Sequence, residues 1–167
     1  MKNTTYYLDE KLLAANGKRF LNYILDLVFY VIFIVFIAFI VAIVAALLGL
    51  SNLLLWMQNI SDLQSNLIAI IAMIIYYTLT EGIFGRSLAK FITGTIVVDE
   101  YGEKPSFSDI LKRTFCRLIP FDAFSYLGNS GRGWHDSISD TYVVDKKELE
   151  NSLKMFYELD QIGEQSE

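Results

Sequence analysis

The chain has 167 residues, a formal charge of −5 and a hydrophobic content of 53%, which bounds it to one compact unit or a small membrane hairpin with an appendage. The acidic excess belongs to residues 145–167, with seven acidic and three basic side chains, so the low pI says nothing of an acidic substrate. No basic block of the kind that binds nucleic acid is present. A single cysteine, Cys116, and a single histidine, His135, exclude an intramolecular disulfide and a multi-thiolate metal site, so no metal or other cofactor is expected.

The first sixteen residues are polar and partly acidic, and the apolar run that follows is too long for a signal-peptide core, so the first helix is expected to remain in the mature protein. Leu27 to Leu50 carries no charge and no proline. As a helix it covers roughly 36 Å, more than the ~30 Å hydrocarbon core of a bilayer. With its flank it predicts a transmembrane helix over about 20–50. A second apolar stretch predicts another over about 63–84.

Residues 51–66 between them contain no Lys or Arg, and Trp56 suits an interfacial position. All fourteen basic residues fall before Phe20 or after Phe84. The positive-inside rule therefore puts both termini in the cytoplasm and the connection outside.

Beyond the second span, Ser87 to Thr93 fits a short amphipathic helix. Thr95 to Val98 and Thr141 to Val144 are rich in β-branched residues and read as two strands that can pair, since a lone strand leaves its backbone groups unsatisfied. Ser106 to Ile119 reads as an amphipathic helix. Ser106 and Asp109 resemble a capping box, and Phe107, Ile110, Leu111, Phe115 and Leu118 recur at helical spacing. Lys112, Arg113 and Arg117 lie off that stripe, so the helix is expected at the lipid interface or embedded as a third membrane element. Residues 128–133 read as a flexible loop and the tail from Lys146 as a polar helix.

The fold class expected is thus an α-helical membrane protein: two transmembrane helices in a hairpin, one amphipathic or membrane-embedded helix and a small cytoplasmic β-containing element. The divisions are a cytoplasmic segment 1–17, a membrane domain 18–144 and an acidic tail 145–167.

Arg19, Asn22 and Asp26 share one helical face at i, i+3 and i+7. A carboxylate within a spanning helix costs about 2.5–3.5 kcal/mol, so Asp26 is either paired or functional, or else merely marks the headgroup level. Glu81, near the end of the second span, is the other buried-acid candidate; the bland alternative is an exposed pair with Arg86. His135-Asp136 lacks a matching nucleophile, and Ser125, Ser130 and Ser137 read as ordinary loop serines. Asp136 fits a structural anchor that accepts backbone N–H bonds or pairs with Arg19. No enzyme constellation appears.

The segments KRFLNYILDLVFY, GRSLAKFITGTIVVDEYGEKPSFSDILKRTFCRLIPFD and RGWHDSISDTYVV together resemble the RDD family of membrane proteins. The resemblance covers about Lys18 to Val144. That family takes its name from one arginine and two aspartates, which the resemblance assigns to Arg19, Asp26 and Asp136; Arg86-Ser87 departs from the Gly-Lys often found near that turn. It implies a bacterial inner-membrane protein associated with transport, some members being linked to cation/proton antiport.

Two functions follow as expectations. One is a subunit for transport of a small solute or cation, with Asp26 and Glu81 carrying the ion. Two helices cannot enclose a pathway, so this requires a homo-oligomer or membrane partner chains within the lipid bilayer. The other is a scaffold or accessory protein in which Arg19, Asp26 and Asp136 clamp the membrane helix to the cytoplasmic module.

Overall fold

The computed structural model describes residues 5–120, 122–125 and 132–165. Most of the expected 128–133 loop, with Ser130, lies outside them. The chain is mostly helical. The first long helix, α1 (Asn16–Leu47), starts four residues earlier and ends three earlier than the expected 20–50, so Asp26 lies well inside it. A short helix, α2 (Ser51–Gln58), occupies the connection, and α3 (Asp62–Phe84) begins one residue before the expected 63. Ser61 starts α3 with a reciprocal capping box to Gln64, and Gly85 stops it in the left-handed region at φ 67°.

Both α1 and α3 are long and apolar enough to cross a membrane. Most of their apolar residues are not inside the protein: Val35 and Phe39 of α1 are 62% and 61% exposed, which a core helix of a water-soluble fold would not permit. The two helices meet along few side chains. Tyr30 donates its hydroxyl to the Ala69 carbonyl at 2.6 Å, and the Tyr76 ring packs at 5.6 Å from Phe33.

After α3 come α4 (Leu88–Thr93), the strand β1 (Thr95–Val98) and α5 (Phe107–Cys116), then α6 (Asp122–Ser125), α7 (Trp134–Ile138), the strand β2 (Tyr142–Asp145) and α8 (Lys146–Gln165). The β-branched segments pair antiparallel, Thr95 opposite Asp145 and Val98 opposite Tyr142. Helix α4 packs on α1, and α5 packs on α3 and α7.

The segment before α1 and helix α8 both pack on the sheet. Leu13 bridges Val144 on the sheet, and Tyr6 is buried with Val98, Val144 and Leu149 of α8. The Tyr6 hydroxyl lies 3.0 Å from Ser152 Oγ, and its ring meets Phe156 edge-on at 5.4 Å. The segment before α1, the sheet and the C-terminal helix thus share one core.

Helix α5 is shorter than the expected 106–119, and its orientation differs from that of a basic surface helix. Ser106 caps it by accepting the Asp109 N–H at 3.2 Å. Phe107 and Phe115 are 61% and 52% exposed, while Arg113 is fully buried and Arg117 nearly so. Arg113 and Arg117 point into the protein beside Ile110, whereas Phe107, Phe115 and Lys112 point out of it. The cause is the acids: Glu81 and Asp136 are both fully buried, and their charge outweighs the ordinary preference for apolar side chains on the inner face.

Candidate functional site: a buried charge network beside a polar cavity

The four expected site residues all lie inside the protein, in two adjoining groups. Arg19, one turn into α1, donates Nη1 to Asp136 Oδ2 at 2.8 Å, Nε to the Ala14 carbonyl at 3.1 Å and Nη2 to the Val143 carbonyl at 3.2 Å. A single guanidinium thereby ties α1 to α7, β2 and the chain before α1. Its planar fork of donors is what lysine lacks.

Asp136, on the first turn of α7, also accepts from Arg113 Nη1 and from the Gly133 N–H at 3.2 Å. Burial alone would push its carboxyl up, but Arg113, then His135 and Arg19, outweigh it and hold it well below the usual carboxylate range.

Glu81 does not pair with Arg86, whose guanidinium stacks 3.9 Å from the Phe91 ring centre. It accepts instead from Lys90 Nζ at 2.6 Å, Arg113 Nε at 3.1 Å and Arg117 Nη2 at 2.8 Å. Burial pushes the Lys90 ammonium below the ordinary lysine value, though Glu81 opposes it. For Arg117, burial is overcome by Glu81 and the guanidinium is held more firmly protonated. Arg117 also lies 3.8 Å from the centre of the Tyr77 ring.

Asp26 stands apart from Arg19. Its oxygens accept from Ser87 Oγ at 2.5 Å, the Ala89 N–H at 3.2 Å and the Tyr76 hydroxyl at 3.3 Å. Ser87 is the N-cap residue of α4 but makes no capping bond of its own, because its hydroxyl is engaged by Asp26. The carboxylate of α1 satisfies that helix start from across the interface, where negative charge is favoured. Asn22, one turn before Asp26, donates to Thr95 Oγ1 at 3.0 Å and accepts from Thr93 Oγ1 at 2.6 Å.

Beside this network lies a cavity of about 370 Å³. Arg19, Asp26, Lys90, Arg113, Arg117 and Asp136 contribute to its charged wall, and Leu27, Tyr30, Met73 and Leu118 to its apolar wall. Asp122 and His135 sit at its other side, the His135 Nδ1 2.6 Å from Asp122 Oδ2. Among the described residues no cluster of His, Cys, Asp and Glu has the arrangement of a metal site.

The RDD family model matches residues 13–144, most of the chain. The chain belongs to the RDD family. No curated protein and no solved structure matches it. With two apolar, lipid-length helices whose sides face outward, this RDD chain is a membrane protein.

Of the three residues that the resemblance singles out, the structure joins Arg19 to Asp136 directly and gives Asp26 a different set of partners. Sequence reasoning missed Lys90, Arg113 and Arg117 as the partners of Glu81. Their signal was available as a charge balance, since a buried acid at the end of an apolar helix favours cations nearby, and these three follow the second span within reach.

Proposed function

We propose that this RDD chain is a bacterial inner-membrane scaffold or accessory protein, in which the charged set clamps the two spans to the α4–α8 module. The observation that supports it is the engagement of the acids. Both oxygens of Asp26, Glu81 and Asp136 accept from protein donors, so these carboxylates hold elements together. An exposed apolar stripe on α8 supports the same reading: Met155, Leu159 and Ile162 lie at i, i+4 and i+7, while Leu149 of the same helix is buried against the sheet.

The topology that goes with this reading is an antiparallel hairpin with both termini and the sheet in the cytoplasm and residues 51–66 outside. The pairing of Asp26 with Tyr76 and of Tyr30 with Ala69 supports the antiparallel order, and the absence of Lys and Arg between Phe20 and Gly85 supports the orientation.

Transport is the second reading, favoured by one observation: Asp26 borders the cavity and has hydroxyl and amide donors but no cation at hydrogen-bond distance. Purified protein in liposomes separates the two. The scaffold reading expects no proton- or cation-driven flux. A flux that Asp26→Asn abolishes in folded protein replaces it with transport, the chain acting as an oligomer.

A further inference from the structure

We propose that the cavity beside the charge network is a binding site for a phosphate oxyanion, presented by an anionic lipid headgroup or by free phosphate. The argument rests on which hydrogen-bonding groups of its wall are already engaged. The three wall carboxylates have both oxygens occupied: Asp136 by Arg19, Arg113 and the Gly133 N–H, Asp26 by Ser87, Ala89 and Tyr76, Asp122 by the backbone and ring nitrogens of His135. A cation entering the cavity would have to displace those donors.

Two cations of the wall, Arg113 and Lys90, are in the opposite state. Arg113 Nη2 is buried with no acceptor among the described residues, although the same guanidinium serves Glu81, Asp136 and Thr141. Lys90 Nζ has three N–H groups and, among the described residues, one acceptor, Glu81. Both residues line the cavity. A buried guanidinium N–H without a partner is destabilising, and an oxyanion supplies the missing acceptor as a charge-assisted bond. Acceptor oxygens are therefore what the cavity lacks.

The rest of the wall fits an amphiphile. Leu27, Tyr30, Met73 and Leu118 give the cavity an apolar side, and it lies between α1, α3 and α5, whose outer faces are apolar and exposed. A headgroup can reach the guanidinium and ammonium from the bilayer while its chains stay along those faces. This site does not depend on whether the chain carries an ion flux.

The test is thermal melting of the detergent-purified, full-length protein with three additions: phosphatidylglycerol, phosphatidylcholine of the same chains, and inorganic phosphate at constant ionic strength. Leu27→Trp is the companion variant. It lies outside the ion pairs and fills the apolar side of the cavity. The expected result is a rise in midpoint with phosphatidylglycerol, none with phosphatidylcholine, and about a tenfold weaker dose response in Leu27→Trp. A rise with phosphatidylglycerol alone assigns the headgroup as source; a rise with inorganic phosphate, alone or as well, assigns the free ion. No rise with either anion overturns the proposal, as does a dose response that Leu27→Trp leaves unchanged. Native mass spectrometry of the wild-type protein gives the same decision without a variant: retention of phosphatidylglycerol no better than of phosphatidylcholine, and no phosphate adduct, overturns it.

Discussion

Glu81 of α3 and Asp136 of α7 are held by one and the same guanidinium, that of Arg113, through its Nε and its Nη1. Neither acid touches the other, yet neither can be neutralised without leaving Arg113 buried and half-paired. Arg113 thus joins α3 to α7, as Arg19 joins α1 to α7 and β2.

Arg113→Gln should therefore destabilise the protein by about 1.5–3 kcal/mol, the usual range for losing hydrogen bonds to charged groups, because Glu81 keeps Lys90 and Arg117 and Asp136 keeps Arg19. In a detergent melt followed by circular dichroism that is a fall of roughly 2–4 °C for each kcal/mol in a chain of this size. Arg113→Lys should recover little, because an ammonium cannot reach two acids in a fork. A loss under about 0.5 kcal/mol for Arg113→Gln would mean that the bridge carries no stability.

Arg19 and Asp136 should be strongly coupled, whereas Arg19 and Asp26 should be nearly independent. A double-mutant cycle of Arg19→Gln with Asp136→Asn is expected to give an interaction energy of about 1–3 kcal/mol, and one with Asp26→Asn about 0.5 kcal/mol or less. Equal couplings would contradict the separation of the two groups seen in the hydrogen bonds.

Acid stability should depend on Asp136. Its carboxyl is held below the ordinary range in the folded protein, so the unfolded chain binds more protons as the pH falls. The stability it contributes is complete above the unfolded value of about 3.9 and is lost as the pH drops below that towards the folded value. Asp136→Asn should remove this part of the acid slope from melts between neutral pH and acid. An unchanged slope in the variant would refute the assignment.

Helix α5 should report two environments. A spin label at Phe115 is expected to be accessible to oxygen in lipid and shielded from a water-soluble nickel reagent, while one at Lys112 should show the reverse. Equal water accessibility at both positions would exclude the outward aromatic face from the membrane.

The spans, the strand pair and the Ser106 cap were legible because each rests on local pattern: an uncharged run longer than a bilayer, β-branched segments, and a hydroxyl three residues before an acid. What the sequence concealed was the direction of α5. Its stripe is clear, but a stripe does not say which side is inside; ordinary soluble logic turns Phe107 and Phe115 inward. That logic fails where lipid replaces water and where Glu81 and Asp136 require cations within. Arg19 and Asp136 were suggested as a pair, since both could be placed at one end of the molecule. The docking of Asp26 onto the start of α4 was not visible, because it depends on a backbone N–H whose position exists only in the folded chain.

The Arg19–Asp136 contact also sets an order of events during synthesis. The two residues are 117 positions apart. At about 5–20 residues per second, Arg19 exists for roughly 6–23 s before Asp136 has been made. Through that interval α1 can insert with an unneutralised arginine near its start, and with Asp26 waiting for Ser87, 61 residues later. The nascent span is therefore provisional until the last strand arrives. A chain stopped short of Asp136 leaves the Arg19 guanidinium without its carboxylate partner.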